Sequence, residues 1–254
     1  MPEIPIRVGG TVAPEAVTGM LGGRTVFATG HGPGWRHLLY LQGCQFDCLA
    51  CSGPLLMPRS PRGMLPVSVA EVIEPIAADV PFLSGVTISG GEPTVQPDFL
   101  LALLTRLRDD PRTARLTRFL ATNGDVDPAL WEALAPLLDG VLLDVKALDE
   151  DRHIVLTGRS NTRVLDSAVN LSARGLLHEV RLLLIPGIND SDEQLHRLAT
   201  WLLGIDPDVR VRVVEFEKRG TRICARDLLT PRRSDLARYW RVLDSAGVQE
   251  LSVP

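Results

Sequence analysis

Short apolar runs alternate with longer amphipathic stretches along most of the chain. After a start punctuated by Gly and Pro, residues 37–41 read as a buried strand that ends at Gln42-Gly43 and a cysteine-rich loop. Residues 52–66 are rich in Ser, Pro, Gly and Arg, the composition of an exposed loop. Helical spacing follows over 68–79, with Ser68 and Glu71 placed as a capping box. The pattern then predicts strands at 86–89, 118–122, 141–145, 179–185 and 209–216. Between and after them it predicts helices at 98–109, 128–138, 163–174, 192–203 (capped by Ser191) and 231–245. A last strand is expected over 249–253.

Strands that alternate with helices imply right-handed crossovers and a parallel sheet. Six such units in one chain of 254 residues predict an α/β fold, a partial (β/α)6 TIM-type barrel. The competing architecture is a doubly wound open sheet. A single domain over 1–254 is expected, with an extension at 1–30, a barrel core at 32–216 and a C-terminal helix and strand in 217–254.

Composition adds exclusions. A net charge of −4 offers no electrostatic reason for nucleic acid or an anionic membrane as partner. No apolar stretch is long enough to span a bilayer. The start of the chain lacks the basic and apolar regions of a secretory signal. Three clustered cysteines and one distant one do not make a disulfide framework, and reduced thiols fit a cytoplasmic location. Arg outnumbers Lys 25 to 2, so Lys146 and Lys218 stand out as sites where a compact ammonium is wanted.

The polar exceptions to the strands gather at their C-terminal ends, where parallel α/β folds keep their active sites. Cys44, Cys48 and Cys51 follow the first strand with C-x3-C-x2-C spacing. Three thiolates can hold three irons of a [4Fe–4S] cluster and leave the fourth iron open. The rival is a Cys3His zinc centre completed by His31 or His37. Gly90, Gly91 and Glu92 follow the second strand, where glycines let a ligand approach the backbone and Glu92 can accept from an ammonium. Asn123 follows the third strand, Asp144 and Lys146 close the fourth, and Arg181 lies in the fifth.

The cysteine triplet followed by Gly-Gly-Glu resembles the radical S-adenosylmethionine (SAM) superfamily. The resemblance implies a [4Fe–4S] cluster on Cys44, Cys48 and Cys51, and SAM chelated to the unique iron. It also implies contacts from Gly90, Gly91 and Glu92 to the methionine amine. Cleavage of SAM would then yield a 5′-deoxyadenosyl radical that abstracts hydrogen. Gly32-Pro33-Gly34-Trp35-Arg36 with Gln42-Gly43-Cys44 is similar to the opening of the activating enzymes of glycyl radical enzymes, the pyruvate formate-lyase activase group. Asp144-Val145-Lys146, Thr157-Gly158-Arg159-Ser160-Asn161 and Pro186-Gly187-Ile188-Asn189-Asp190 resemble further motifs of that group. They place Lys146 and Arg181 near the SAM methionine. Three positions differ from the group: Ala50 where an aromatic faces adenine, Ala121 where an Asp opens the turn, and Glu217 where a His follows the sixth strand.

Three functions follow as expectations. The first is hydrogen abstraction from a glycine of a partner glycyl radical enzyme, with flavodoxin or ferredoxin as electron donor. The second is modification of a small molecule or peptide, for example epimerisation with Cys224 as hydrogen-atom donor. The third is a non-catalytic zinc or iron–sulfur module. Cys224 otherwise reads as a small buried hydrophobe. Glu215 and Glu217 share one strand face, either toward the barrel interior or toward solvent.

Overall fold

The computed structural model describes residues 13–252. Its main sheet has eight strands: β1 (Leu21–Ala28), β2 (Arg36–Leu41), β3 (Gly85–Gly90), β4 (Thr117–Thr122), β5 (Gly140–Val145), β6 (Leu177–Leu184), β7 (Val211–Glu215) and β8 (Leu251–Ser252). Spatial order follows chain order from β1 to β8. Strands β2 to β8 pair in parallel, and β1 pairs antiparallel with β2. The order never reverses, so the sheet has no switch point and is not doubly wound. The end strands do not pair with each other, which leaves a partial barrel open on one side.

Helices α1 (Val69–Asp79), α2 (Pro97–Asp109), α3 (Pro128–Leu134), α4 (Glu150–Thr157), α5 (Thr162–Ala173), α6 (Asp192–Ile205) and α7 (Arg233–Ser245) connect the strands. The capping box at Ser68 is present in both directions: Glu71 N–H donates to Ser68 Oγ, and Ser68 N–H donates to Glu71. Ser191 and Gln194 form the same device at α6. The outward strand residues, among them Leu39, Val86, Leu120, Val141, Val180 and Val211, are buried with Ile73, Leu103, Trp131, Leu171 and Leu202 of the helices. Burial of this apolar layer is the main stabilising term of the fold.

Two elements differ from expectation. Part of the segment 1–30, expected as an extension, is edge strand β1 of the barrel wall; residues 1–12 lie outside the described residues, as does Val253 of the last strand. Helix α4 occupies a stretch with no expected element. Its end is set by Gly158 in the left-handed conformation (φ 76°).

The floor of the barrel is polar. Arg36, from the Gly-Pro-Gly-Trp-Arg motif, is fully buried at the start of β2. Its guanidinium donates to Thr87 Oγ1 (2.5 Å), Val86 O (2.7 Å), Thr117 O (2.9 Å), Thr117 Oγ1 and Pro33 O (both 3.0 Å). It also lies 4.5 Å from the Phe119 ring centroid. The motif glycine Gly32 makes room for this staple: a Cβ there would lie 3.2 Å from Arg36 Nε and 3.0 Å from Phe119. Beside it, Gly30 O accepts from Arg181 (2.7 Å) and Arg212 (3.0 Å), and His31 O accepts from Thr87 (2.6 Å). The segment ahead of β2 therefore plugs the end of the barrel opposite the cysteine loop.

Candidate active site

The opposite end opens into a cavity of about 600 Å3. Cys44, Cys48 and Cys51 all line it, together with Gly90, Gly91, Glu92, Asn123, Asp144, Lys146 and Arg181. Every residue expected to hold the cluster or SAM therefore faces one space. Glu215, the last residue of β7, and Glu217, which lies past the strand's end, line it as well, together with Val214 and Phe216, so the two carboxylates do not share a strand face as expected. Cys224 does not: it is exposed, with Sγ 3.9 Å from Leu49 O on the outer side of the cysteine loop. Its place does not support a donor facing substrate, nor the alternative of a buried small hydrophobe.

The cysteine loop is built from both sides. Gly43 N–H and Cys44 N–H donate to Leu56 O (2.8 Å) and Met57 O (3.0 Å). Gln42 ties the same stretch through Leu55 O and Pro58 O, each at 2.8 Å. Further along, Asp47 N–H and Leu49 N–H donate to Thr157 O (2.8 Å) and Leu156 O (2.9 Å), carbonyls left free at the end of α4. Phe46 packs edge-on against the buried His153 of α4, centroids 5.5 Å apart.

The glycines of the Gly-Gly-Glu turn serve this framework directly. Gly91 N–H donates to Leu41 O (3.0 Å) and Glu92 N–H to Gly43 O (2.7 Å). A Cβ on Gly90 would lie 2.0 Å from Leu41 O, and one on Gly91 2.4 Å from Gly43 O. The space expected for a ligand beside these two Cα atoms is taken by the root of the cysteine loop. Glu92 is also committed: its carboxylate accepts from Thr94 N (3.1 Å), Thr94 Oγ1 (2.7 Å), Thr122 Oγ1 (2.8 Å) and Asn123 N (2.7 Å). Burial raises its pKa against these bonds.

Charge in the cavity is arranged in pairs. Lys146 Nζ lies 3.0 Å from Asp144 Oδ2. Burial pulls the ammonium's pKa down, but Asp144 and the nearby Cys48 outweigh it and the net shift is upward. Arg181 gives Nε to Glu179 (2.8 Å) and Nη2 to Gly30 O, so its cation is anchored in the floor. Arg212 meets the same carboxylate at 3.3 Å. Burial pushes the Cys44 thiol up to about 12 and the Cys48 thiol up to about 11, the latter opposed by Lys146. Without metal these thiols stay protonated at neutral pH, and metal binding must displace the protons.

The remaining motifs turn out to be braces. Asn161 donates to Ala147 O (3.2 Å) and Leu148 O (2.7 Å), and Arg159 pairs with Asp125 at 2.9 Å. Asn189 donates to Lys146 O and Leu183 O, both at 2.7 Å. Asp190 accepts from Tyr239 (2.9 Å) and pairs with Arg238 of α7. Spacing could reveal these residues as motifs but not their partners, which are remote in sequence.

The donor set fits an iron–sulfur cluster. Three thiols share one open cavity, within the ~300–1,000 Å3 typical of ligand pockets. Among the described residues, no three His, Cys, Asp or Glu side chains converge on one ion position, as a mononuclear zinc centre requires. His37 lies at the floor end of β2, buried 3.6 Å from Asp79, away from the thiols.

Comparison with known proteins agrees. The radical SAM superfamily profile matches residues 38–199. A pyruvate formate-lyase-activating enzyme of Streptococcus mutans is 30% identical over 211 residues, 81% of this chain and 80% of the relative. One of Staphylococcus aureus is 32% identical over 195 residues, 74% of this chain and 77% of the relative. Among solved structures, Streptococcus suis SuiB bound to precursor peptide SuiA superposes with a TM-score of 0.66 at 20% identity, over 85% of this chain and 48% of SuiB. The chain belongs to the radical SAM superfamily. It is an enzyme of radical chemistry, and the cofactors of its family are a [4Fe–4S] cluster and SAM. Among the described residues no helix is long and apolar enough to cross a membrane.

Proposed function

We propose that the chain abstracts a hydrogen atom from a glycine of a partner glycyl radical enzyme. The observation that carries this reading is the shared cavity: three thiols, the Gly-Gly-Glu turn, Asn123, Lys146 and Arg181 line one space. The activating-enzyme motifs and the names of the 30–32% identical relatives support the choice of substrate. When bound, the cluster and SAM supply one-electron cleavage of the sulfur–C5′ bond and the resulting primary radical.

Cys44, Cys48 and Cys51 would be the protein ligands of the cluster. Lys146, held against Asp144, presents an ammonium suited to the carboxylate of SAM. Arg181 adds a second cation whose position is set by Glu179 and Gly30 O. Glu92 holds the turn and Asn123 in register instead of reaching for ligand itself. The polar segment at the floor fills that end of the barrel, which limits the approach of water and radical quenchers from that side.

The test is anaerobic iron–sulfide reconstitution followed by reduction in the presence of SAM. Formation of 5′-deoxyadenosine, and of a glycyl-radical electron paramagnetic resonance signal when a candidate partner is added, supports the proposal. Formation of 5′-deoxyadenosine with no radical on any glycyl radical enzyme encoded nearby would sink the partner assignment while leaving radical SAM chemistry in place.

A further inference from the structure

Residues 220–226 lie beyond the part of the chain matched to the family, yet they grip the cysteine loop. Arg222 Nη1 reaches Asp47 Oδ1 (2.5 Å), Asp47 O (3.2 Å) and Cys48 O (3.3 Å). The grip is built into the fold. Arg222 caps a short turn at Ile223–Ala225, and Ala225 is fully buried with Ala50, Ala147, Leu156 and Phe216. Ala225 N–H donates back to Arg222 O at 3.0 Å. The loop's amides thus face the end of α4, while the carbonyls of Asp47 and Cys48 face a guanidinium.

We propose that Arg222 is a positioning residue that also sets the charge around the redox centre. It holds the loop through the Asp47 and Cys48 carbonyls, and its guanidinium, offset by the Asp47 carboxylate, favours the reduced state of a cluster bound there. The inference rests on the cluster assignment above. Reduction takes one electron from an external one-electron reductant and makes the site one unit more negative, with no bond broken in the protein. A cation beside the ligand loop stabilises the more negative state, and an anion opposes it. Arg222 is about two-thirds covered and Asp47 is largely exposed, so solvent screens both effects but does not erase them.

The two residues make the proposal separable from a purely mechanical role. Both Arg222→Gln and Asp47→Asn break the same ion pair, but they change charge in opposite senses. The experiment is an anaerobic redox titration of the reconstituted full chain, with dithionite as reductant. At a fixed potential, Arg222→Gln is expected to lower the ratio of reduced to oxidised cluster by roughly threefold to tenfold. That corresponds to roughly 30–59 mV for one electron. Asp47→Asn is expected to raise the ratio by a similar factor, and the double variant to fall between.

Shifts of the same sign, or none beyond roughly threefold in either variant, would overturn the proposal and leave only a fastener. Thermal melting of the apo-proteins checks that each variant folds. If Arg222→Gln cannot retain iron, Arg222→Lys keeps the charge while losing the planar fork. A near-native potential in that variant supports the charge role, and a shift as large as that expected for Gln overturns it. If the wild-type chain takes up no [4Fe–4S] cluster, the assignment beneath the proposal falls, and the titration shows this before any variant is compared.

Discussion

The side-chain amide of Asn189 donates to the backbone carbonyl of Lys146 at 2.7 Å. A residue outside the cavity thereby sets the loop that carries the cavity's ammonium. The same side chain donates to Leu183 O and accepts from Ile185 N–H at 2.7 Å. Asn189→Ala would leave these buried groups unpaired, at a cost of about 1–3 kcal/mol. For a chain of this size, at about 2–4 °C per kcal/mol, the melting temperature should fall by about 2–12 °C. Asn189→Asp should be worse, because an acceptor would then face two carbonyls. Calorimetry of the apo-proteins measures both.

Glu92→Gln tests the brace reading of the Gly-Gly-Glu turn. An amide cannot accept on both ends, so one of Asn123 N–H or the Thr94 and Thr122 donors would meet an NH2 group. The expected loss is about 1–3 kcal/mol, even with no SAM present. Stability unchanged in the ligand-free protein, with SAM affinity reduced, would return Glu92 to a direct contact.

The cysteines should divide three to one. Replacing Cys44, Cys48 or Cys51 by Ala is expected to abolish or severely reduce the absorbance and iron content of the reconstituted protein. Cys224→Ala should retain both, with SAM cleavage within about twofold of wild type, since its thiol lies outside the cavity. Loss of SAM cleavage in Cys224→Ala alone would show that the outer thiol has a role in the chemistry.

Acid should weaken the barrel floor through His31. Burial and the neighbouring Arg181 and Arg212 hold its pKa at about 4, against an ordinary 6.5. Between those values the unfolded chain binds more protons than the folded one. The contribution of His31 is thus fully present above pH 6.5 and is lost as pH falls toward 4. It amounts to about 1–3 kcal/mol once partial exposure is allowed for. His31→Gln should flatten this part of the apo-protein's stability profile; an unchanged slope would place the acid sensitivity elsewhere.

The parallel strands were legible because each is a compact apolar run whose neighbours are amphipathic helices. Strand β1 was not: Leu21-Gly22-Gly23-Arg24-Thr25 has two glycines and exposed polar positions, the composition of a loop, and it holds an edge through pairing with β2. Helix α4 was hidden by its brevity and by Glu150, Asp151 and Arg152 at its start, which leave little apolar stripe. The thiols and the rim they occupy were readable from spacing and strand position. The roles of Arg36, Glu92 and Asn189 were not, because each depends on partners that only the folded chain brings near. Glycines 90 and 91 show the same limit: the residue type announces a close approach, but not what approaches.

The plug formed by Gly30, His31 and Pro33 has a consequence for traffic. With that end occupied, traffic to the cavity is left to the rim and to the gap between the unpaired strands β1 and β8. A macromolecule seated on the rim would leave only the lateral gap for small molecules, so the width of that gap, not the rim, would then set how fast they exchange.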